Sequence, residues 1–325
     1  MPPTRRALLA ATPAILAAPA VWAQDAAGFP NRPVTLIAGG TAGGPTDLVS
    51  RLVAEGMARH LGQTVVVENV AGTVFSAGRA RQARPDGYTL LNTNVGFAAS
   101  ATLYRQLPYS VTDSFAPIGL ASKAAMMLVA RPGFPAANVT EYAATMRREG
   151  EKLNLAHSGI GSSSQLSGML LQQSVGAQVT TVAYRGSAPI MTELMAGRVD
   201  IFCDQVTNVL PFVQRGSFPA FAVTSEARVP GVDLPTMAEA GMPAAAMTTW
   251  HGLFAQAEVP EAIQERLSQA LRAAVREERL VSRFTDLITA PATQEEATIA
   301  WHRRFHAAEV ARWRGVVQAA GIYAN

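Results

Sequence analysis

The chain has 325 residues, 49% of them apolar and 16% charged, with 27 Lys and Arg, 24 Asp and Glu, and one cysteine. That near balance, with no basic run and no interleaving of aromatic and basic side chains, argues against a nucleic-acid partner. The single Cys203 leaves no internal disulfide, and a body of about 300 residues suggests two domains rather than one core.

The chain opens with Arg5-Arg6, an apolar stretch over 7–20 and then Val21-Trp22-Ala23. The stretch is too short to span a bilayer, and the small-x-small ending reads as a signal peptide over 1–23, cleaved after Ala23. Paired arginines leave Sec and Tat export both open. Removing this segment takes two arginines and no acid, so the mature basic and acidic counts differ by one. No later segment is long and apolar enough to cross a membrane.

Next comes a strand over 34–38, the turn Gly39-Gly40-Thr41-Ala42-Gly43-Gly44-Pro45-Thr46-Asp47, and an amphipathic helix over 48–61. A strand that feeds a glycine turn opening a helix builds an anion site from backbone N–H groups and the helix dipole. Pro45 suits the first helical position. Neither Gly-Lys-Ser/Thr nor G-x-G-x-x-G spacing is present, so nucleotide loops are excluded. A tight turn with no ligand remains the alternative.

Further strands are expected over 64–68, 88–92, 116–121, 126–130, 153–156, 179–183, 199–203, 220–224 and 249–254, alternating with helices. That alternation predicts an α/β fold. A second glycine/serine turn, His157-Ser158-Gly159-Ile160-Gly161-Ser162-Ser163-Ser164-Gln165, precedes a helix over 166–175. Ser162 or Ser163 is the expected N-cap, and nearby hydroxyls suit a carboxylate oxygen. Its last residue is Gln165, not glycine, so the G-x-S-x-G hydrolase elbow is missing. Arg185 ends the strand over 179–183, where a guanidinium can clamp a carboxylate or be solvated. Asp204 follows the strand over 199–203 and either faces the crevice or caps the next helix. Asn94 is a similar candidate or a turn residue. Ser187 is expected to open a helix over 188–196, and Cys203 to be a small core residue.

Two C-terminal helices are expected, over 260–278 and 294–320, the latter with Trp301, Phe305, Ala308 and Val316 on its buried face. His302 and His306 stand at i, i+4, but no acid follows in H-E-x-x-H form and Arg303 and Arg304 lie between them, so no metal is expected. His251 is placed at the cleft. No Ser/His/Asp order comes with an elbow. The two strand–turn–helix units suggest lobes facing one cleft, with 24–124 plus 249–325 as lobe one and 125–248 as lobe two. The strands near 119–129 and 248–254 would form the hinge.

Several motifs carry a resemblance by their order and spacing. They include Phe29-Pro30-Asn31-Arg32-Pro33, Gly43-Gly44-Pro45-Thr46-Asp47, Pro85-Asp86-Gly87-Tyr88 and Leu107-Pro108-Tyr109. Farther along come Gly161-Ser162-Ser163-Ser164, Tyr184-Arg185-Gly186, Gly197-Arg198-Val199-Asp200, Leu234-Pro235-Thr236-Met237 and Trp250-His251-Gly252. Over essentially the whole mature chain this resembles the periplasmic solute receptors of tripartite tricarboxylate transporters, the Bug family.

The resemblance implies a two-lobed type II periplasmic-binding (Venus flytrap) fold without cofactor. It implies a monomer that captures a small carboxylate, partly through ordered water, and delivers it to membrane permease subunits. The expected ligand-facing residues are Thr41, Ala42, Gly43, Gly44, Thr73, Phe75 and Asn94 from lobe one, and Ser158, Gly161, Ser162, Ser163, Arg185 and Asp204 from lobe two. Departures from the family pattern are Gly39-Gly40-Thr41 in place of Pro-Phe-Pro, and Val74 and Phe75 in place of two glycines. Phe75 at the cleft edge favours a planar or apolar-tailed carboxylate over citrate. The alternatives are a sensory receptor that signals to a membrane kinase, and a hydrolase using Ser162 or Ser163.

Overall fold

A computed structural model describes residues 28–324; the signal-peptide reading falls on residues outside that range. The elements in chain order begin with β1 (Val34–Ala38), α1 (Pro45–Leu61), β2 (Val65–Asn69), α2 (Thr73–Arg81), β3 (Thr89–Asn94) and α3 (Val95–Leu103). A long strand β4 (Phe115–Ala130) leads to α4 (Val139–Glu149), β5 (Asn154–His157), α5 (Ser163–Val175), β6 (Thr180–Ala183) and α6 (Ser187–Met195). Then come β7 (Ile201–Gln205), α7 (Val206–Gln214) and β8 (Ala220–Val223). The chain closes with β9 (Thr248–Gln256), α8 (Glu261–Ala274), α9 (Glu278–Asp286), β10 (Ala290–Pro291) and α10 (Ile299–Ala320).

The fold is two-lobed α/β, and β4 belongs to both sheets. Its residues Phe115–Ala125 pair antiparallel with β9, and β10 pairs at Ser122 and Lys123. From Met126 onward its neighbours are β7 and β8. The apolar run is interrupted by Ser122 and Lys123, which is why the sequence reads as two short strands. Pairing with β9 carries the strand straight through, and Lys123 is held by Glu296.

Strand direction fixes where the loops face. β3 and β4 are both antiparallel to β9, so the carboxyl ends of β3 and its parallel neighbours β1 and β2 point toward the second lobe. β7 is antiparallel to β4, and β5 and β6 run parallel to β7, so their carboxyl ends point back at the first lobe. Ligands of open α/β sheets bind outside strand carboxyl ends. Here two such edges face one another.

α1 shows how the sequence builds these units. Gly44 is the extended N-cap, Pro45 takes the first helical position, and Gly62 ends the helix at φ +71°. Val49, Val53, Met57 and Leu61 recur at i+4 and are buried. Gly56 lets α8 approach, since a Cβ there would meet Ala274 Cβ at 2.7 Å.

Three local expectations change. The helix expected over 260–278 is α8, ending at Ala274, with α9 beginning only at Glu278. Gly186, not Ser187, is the N-cap of α6, leaving the Ser187 hydroxyl free to meet Asp204. The buried face of α10 is His302, His306, Glu309, Val310, Trp313 and Val317, while Trp301, Phe305 and Val316 are half-buried and Ala308 is exposed. The apolar pattern misleads because polar groups occupy the inner face. Glu309 Oε2 accepts from the indoles of Trp250 at 2.8 Å and Trp313 at 3.2 Å. His306 stacks on Phe97, with centroids 5.4 Å apart, and His302 packs on Phe254.

Burial holds these rings neutral. It depresses His302 strongly, and both His251 and His306 are pushed down to about 4. The unfolded chain titrates histidine near 6.5. Between pH 6.5 and 4 it therefore binds protons that the native state refuses, and stability falls as pH drops through that window. At 1.36 kcal/mol per pKa unit, each ring shifted to about 4 contributes about 3 kcal/mol of this loss. Urea unfolding at pH 7, 5.5 and 4.5 should show it, and His306→Phe should make the slope shallower by that ring's share while His251 and His302 keep the rest.

Candidate ligand-binding cleft

Between the lobes lies a cavity of about 970 Å³. Its wall includes the starts of six helices, α1, α2 and α3 from one lobe and α5, α6 and α7 from the other. Each such terminus presents N–H groups without intrahelical acceptors and the positive end of a dipole of roughly half a charge.

Thr41, Ala42, Gly43 and Gly44 all stand on this wall. Gly43 takes φ +76°, and its N–H donates to Asp47 Oδ2 at 2.8 Å. Asp47 also accepts from Asn69 Nδ2 at 2.9 Å and pairs with Arg51 Nε at 3.0 Å. Burial acts to raise its pKa, but these donors and the Arg51 charge outweigh it, leaving the carboxyl below its ordinary value. Asp47 is thus a fixed anion that shapes the loop. The sequence signal for this role is an acid in the first helical turn, directly after Gly-Pro-Thr.

The starts of α2 and α3 lie beside this loop. Gly72, at φ +93°, precedes Thr73, and Thr73, Val74 and Phe75 line the cavity. Asn94, expected to face the cleft or to sit in a turn, ends β3 and caps α3, its Oδ1 accepting from Gly96 N at 3.0 Å, and it stands on the cavity wall. His251 is fully buried and does not line the cavity. Its Nε2 lies 3.3 Å from Thr46 Oγ1 and its Nδ1 3.2 Å from Ser122 Oγ, so it supports the wall from behind. It stands on β9, which is paired with β3 and β4 on its two edges.

In the second lobe Ser162 caps α5, accepting from Gln165 N at 3.2 Å, a contact worth about 1 kcal/mol. Ser164 Oγ gathers this loop: it accepts from Ser158 N at 2.9 Å and lies 2.9 Å from Ser158 Oγ and 3.0 Å from Ser162 Oγ. Ser163 Oγ lies 2.9 Å from Thr249 Oγ1 on β9. Ser158, Ser162 and Ser163 line the cavity, whereas Gly161 does not. Gly161 instead donates to Gln165 Oε1 at 2.7 Å and turns its carbonyl toward Gly96 of the first lobe, where any Cβ would overlap it. His157 Nδ1 lies 3.0 Å from the Gly159 carbonyl, and burial lowers its pKa.

Arg185 is exposed on the wall and is its sole Lys or Arg side chain. Its loop touches the first one, since a Cβ on Gly186 would lie 3.3 Å from Thr41 Oγ1. Asp204 lies inside β7, one turn before Asn208, whose Nδ2 donates to it at 3.0 Å. Burial raises its pKa, and donors at Ser187, Asn208 and the Gln205 backbone partly offset this. It does not cap α7, whose N-cap is Gln205. Cys203 is buried, its thiol pushed up to about 12 by desolvation, which makes it unreactive. The recorded partners of the Ser162 and Ser163 hydroxyls are Ser, Thr and backbone groups, not an imidazole, so neither forms a nucleophile–base pair.

The role of Asp47 is testable by Asp47→Asn. The substitution keeps the shape and loses the charge that orders Gly43. Differential scanning calorimetry should show a destabilisation of about 1–3 kcal/mol, whereas an unchanged melting temperature would deny the carboxylate its part in the loop.

The sequence matches the family model described as "Tripartite tricarboxylate transporter family receptor" over residues 49–322. A UPF0065 protein from Agrobacterium vitis is 38% identical over 302 residues, covering 92% of this chain and 87% of its own. Among solved structures, the periplasmic binding protein BugD superposes with a TM-score of 0.84 at 36% identity, covering 91% of this chain and 99% of BugD. MatC from Rhodopseudomonas palustris, with bound malate, gives 0.84 at 34% identity over 89% of this chain and 100% of its own. A second R. palustris protein, with adipate, gives 0.84 at 29% identity over 91% and 99%. This chain belongs to the tripartite tricarboxylate transporter receptor family, a family of solute-binding receptors and not of enzymes.

Proposed function

We propose that this receptor is exported to the periplasm by cleavage after Ala23, closes as a monomer on a carboxylate, and hands it to the permease subunits of a tripartite transporter. The observation that carries this reading is the convergence of six helix N-termini from two lobes on one cavity with a single cationic side chain. Such a wall favours an anion through backbone amides and suits release, because no buried lysine grips the ligand. The malate and adipate held by two relatives support a carboxylate as ligand. Thr41 to Gly44, Thr73, Phe75 and Asn94 would act from one lobe, and Ser158, Ser162, Ser163, Arg185 and Asp204 from the other. We take the lobes to divide at 124/125 and 248/249, where β4 and β9 cross and would flex.

Calorimetric titration and thermal unfolding of residues 24–325 against mono-, di- and tricarboxylates test this. A ligand at 100 times its Kd should add about 2.7 kcal/mol of stability. A well-folded sample that binds no carboxylate would overturn the reading.

Closure has its own test in Gly96→Ala. The added methyl collides with the Gly161 carbonyl of the opposite lobe, so it opposes the closed state without touching either core. Affinity should fall by about tenfold or more, the equivalent of 1.4 kcal/mol, while the unliganded melting temperature stays within a few degrees. Unchanged affinity would mean that the lobes need not meet here.

A further inference from the structure

The cavity wall is not uniformly polar. Among the described residues six large apolar side chains are exposed, and three of them, Phe75 at 75%, Ile160 at 48% and Met195 at 42%, stand on this one wall. Phe75 comes from the first lobe and the other two from the second, so both lobes contribute apolar surface to the cavity. Exposed apolar surface gathered in one place marks a binding surface.

The second lobe grades from polar to apolar along its helices. On α6 the wall residues Ser187, Met191 and Met195 follow one another at i+4, a row whose polar end is the helix N-terminus, with Ala188 and Thr192 in the row beside it. Eight residues at 1.5 Å each make the first row about 12 Å long. α7 repeats the gradient, with Gln205 and Asn208 near its start and Phe212 nearly two turns on. The Phe212 ring stacks on Phe218 with centroids 5.6 Å apart, which fixes it as a wall, while the two methionines adapt to whatever lies against them.

The charges point the same way. Arg185 is the one cationic and Asp204 the one acidic side chain on the wall. A first carboxylate finds helix ends and Arg185, whereas no cationic side chain lines the apolar half; Arg215, off the wall, is held over the Phe212 ring, 4.8 Å from its centroid.

Resting on the receptor reading above, we infer that the ligand is a monocarboxylate with an extended apolar body, aromatic or medium-chain aliphatic. Its head would sit at the helix N-termini and its body along Met191, Met195 and Phe212 under Phe75.

The test is calorimetric titration of the chain from residue 24 with octanoate, 3-phenylpropionate, malate, adipate and citrate, separately. Octanoate or 3-phenylpropionate should bind about tenfold or more tighter than malate, as burial of several methylenes requires. Phe75→Ser and Met195→Gln, both at exposed positions and so compatible with folding, should each weaken that ligand severalfold while the unliganded melting temperature stays within a few degrees of the parent chain's. If malate, adipate or citrate binds tightest, the apolar-body inference fails and the receptor reading stands. If none of the five binds a folded sample, both fall.

Discussion

The molecule depends on the direction of one strand. β4 runs through both sheets, parallel to β3 in the first and antiparallel to β7 in the second. That single reversal turns two ordinary α/β edges toward each other, so every helix that follows an inward-pointing strand starts at the same gap. The cavity and its positive dipole ends follow from this arrangement without any dedicated cationic side chain beyond Arg185.

Electrostatics in the cleft are a matter of what is cancelled in advance. Asp47 lies in the first turn of α1 and Asp204 at the end of β7 just before α7, so each places an acid beside the positive end of a helix. Asp47 is neutralised locally by Arg51, Asn69 and the Gly43 amide, so it orders the loop without dominating the gap. Asp204 lacks an arginine or lysine among its donors, and burial raises its pKa. The two acids therefore behave differently: one is a structural anion, the other a wall group sensitive to what is bound beside it. Behind the wall, His251 links Thr46 to Ser122, so the first loop rests on the strands that cross between the lobes.

Much of this was legible in the sequence, for identifiable reasons. The β1–turn–α1 unit was readable because Gly-Gly-Pro-Thr-Asp encodes both the turn and the helix start, and Ser162 was readable as a cap because its side chain is short and oxygen-bearing. The continuity of β4 was not, because Ser122 and Lys123 break the apolar run and only β9 pairing restores it. The inner face of α10 was hidden for a similar reason. Two histidines and Glu309 occupy it, and their partners, Phe97, Trp250, Phe254 and Trp313, are scattered along the chain. Gly161 was assigned to the ligand from its place in a glycine-serine loop, but its contact with Gly96 depends on how the lobes approach, which no local pattern encodes.

In the proposed complex, backbone amides at opposed helix starts, rather than cationic side chains, hold the carboxylate. Hydrogen–deuterium exchange of the mature chain with and without a bound carboxylate addresses it directly, since amides that donate to ligand exchange more slowly. New protection is expected in Thr41–Leu48 and in Ser162–Gln165, on both sides of the gap. Protection confined to the neighbourhood of Arg185, with both helix starts unchanged, would contradict it.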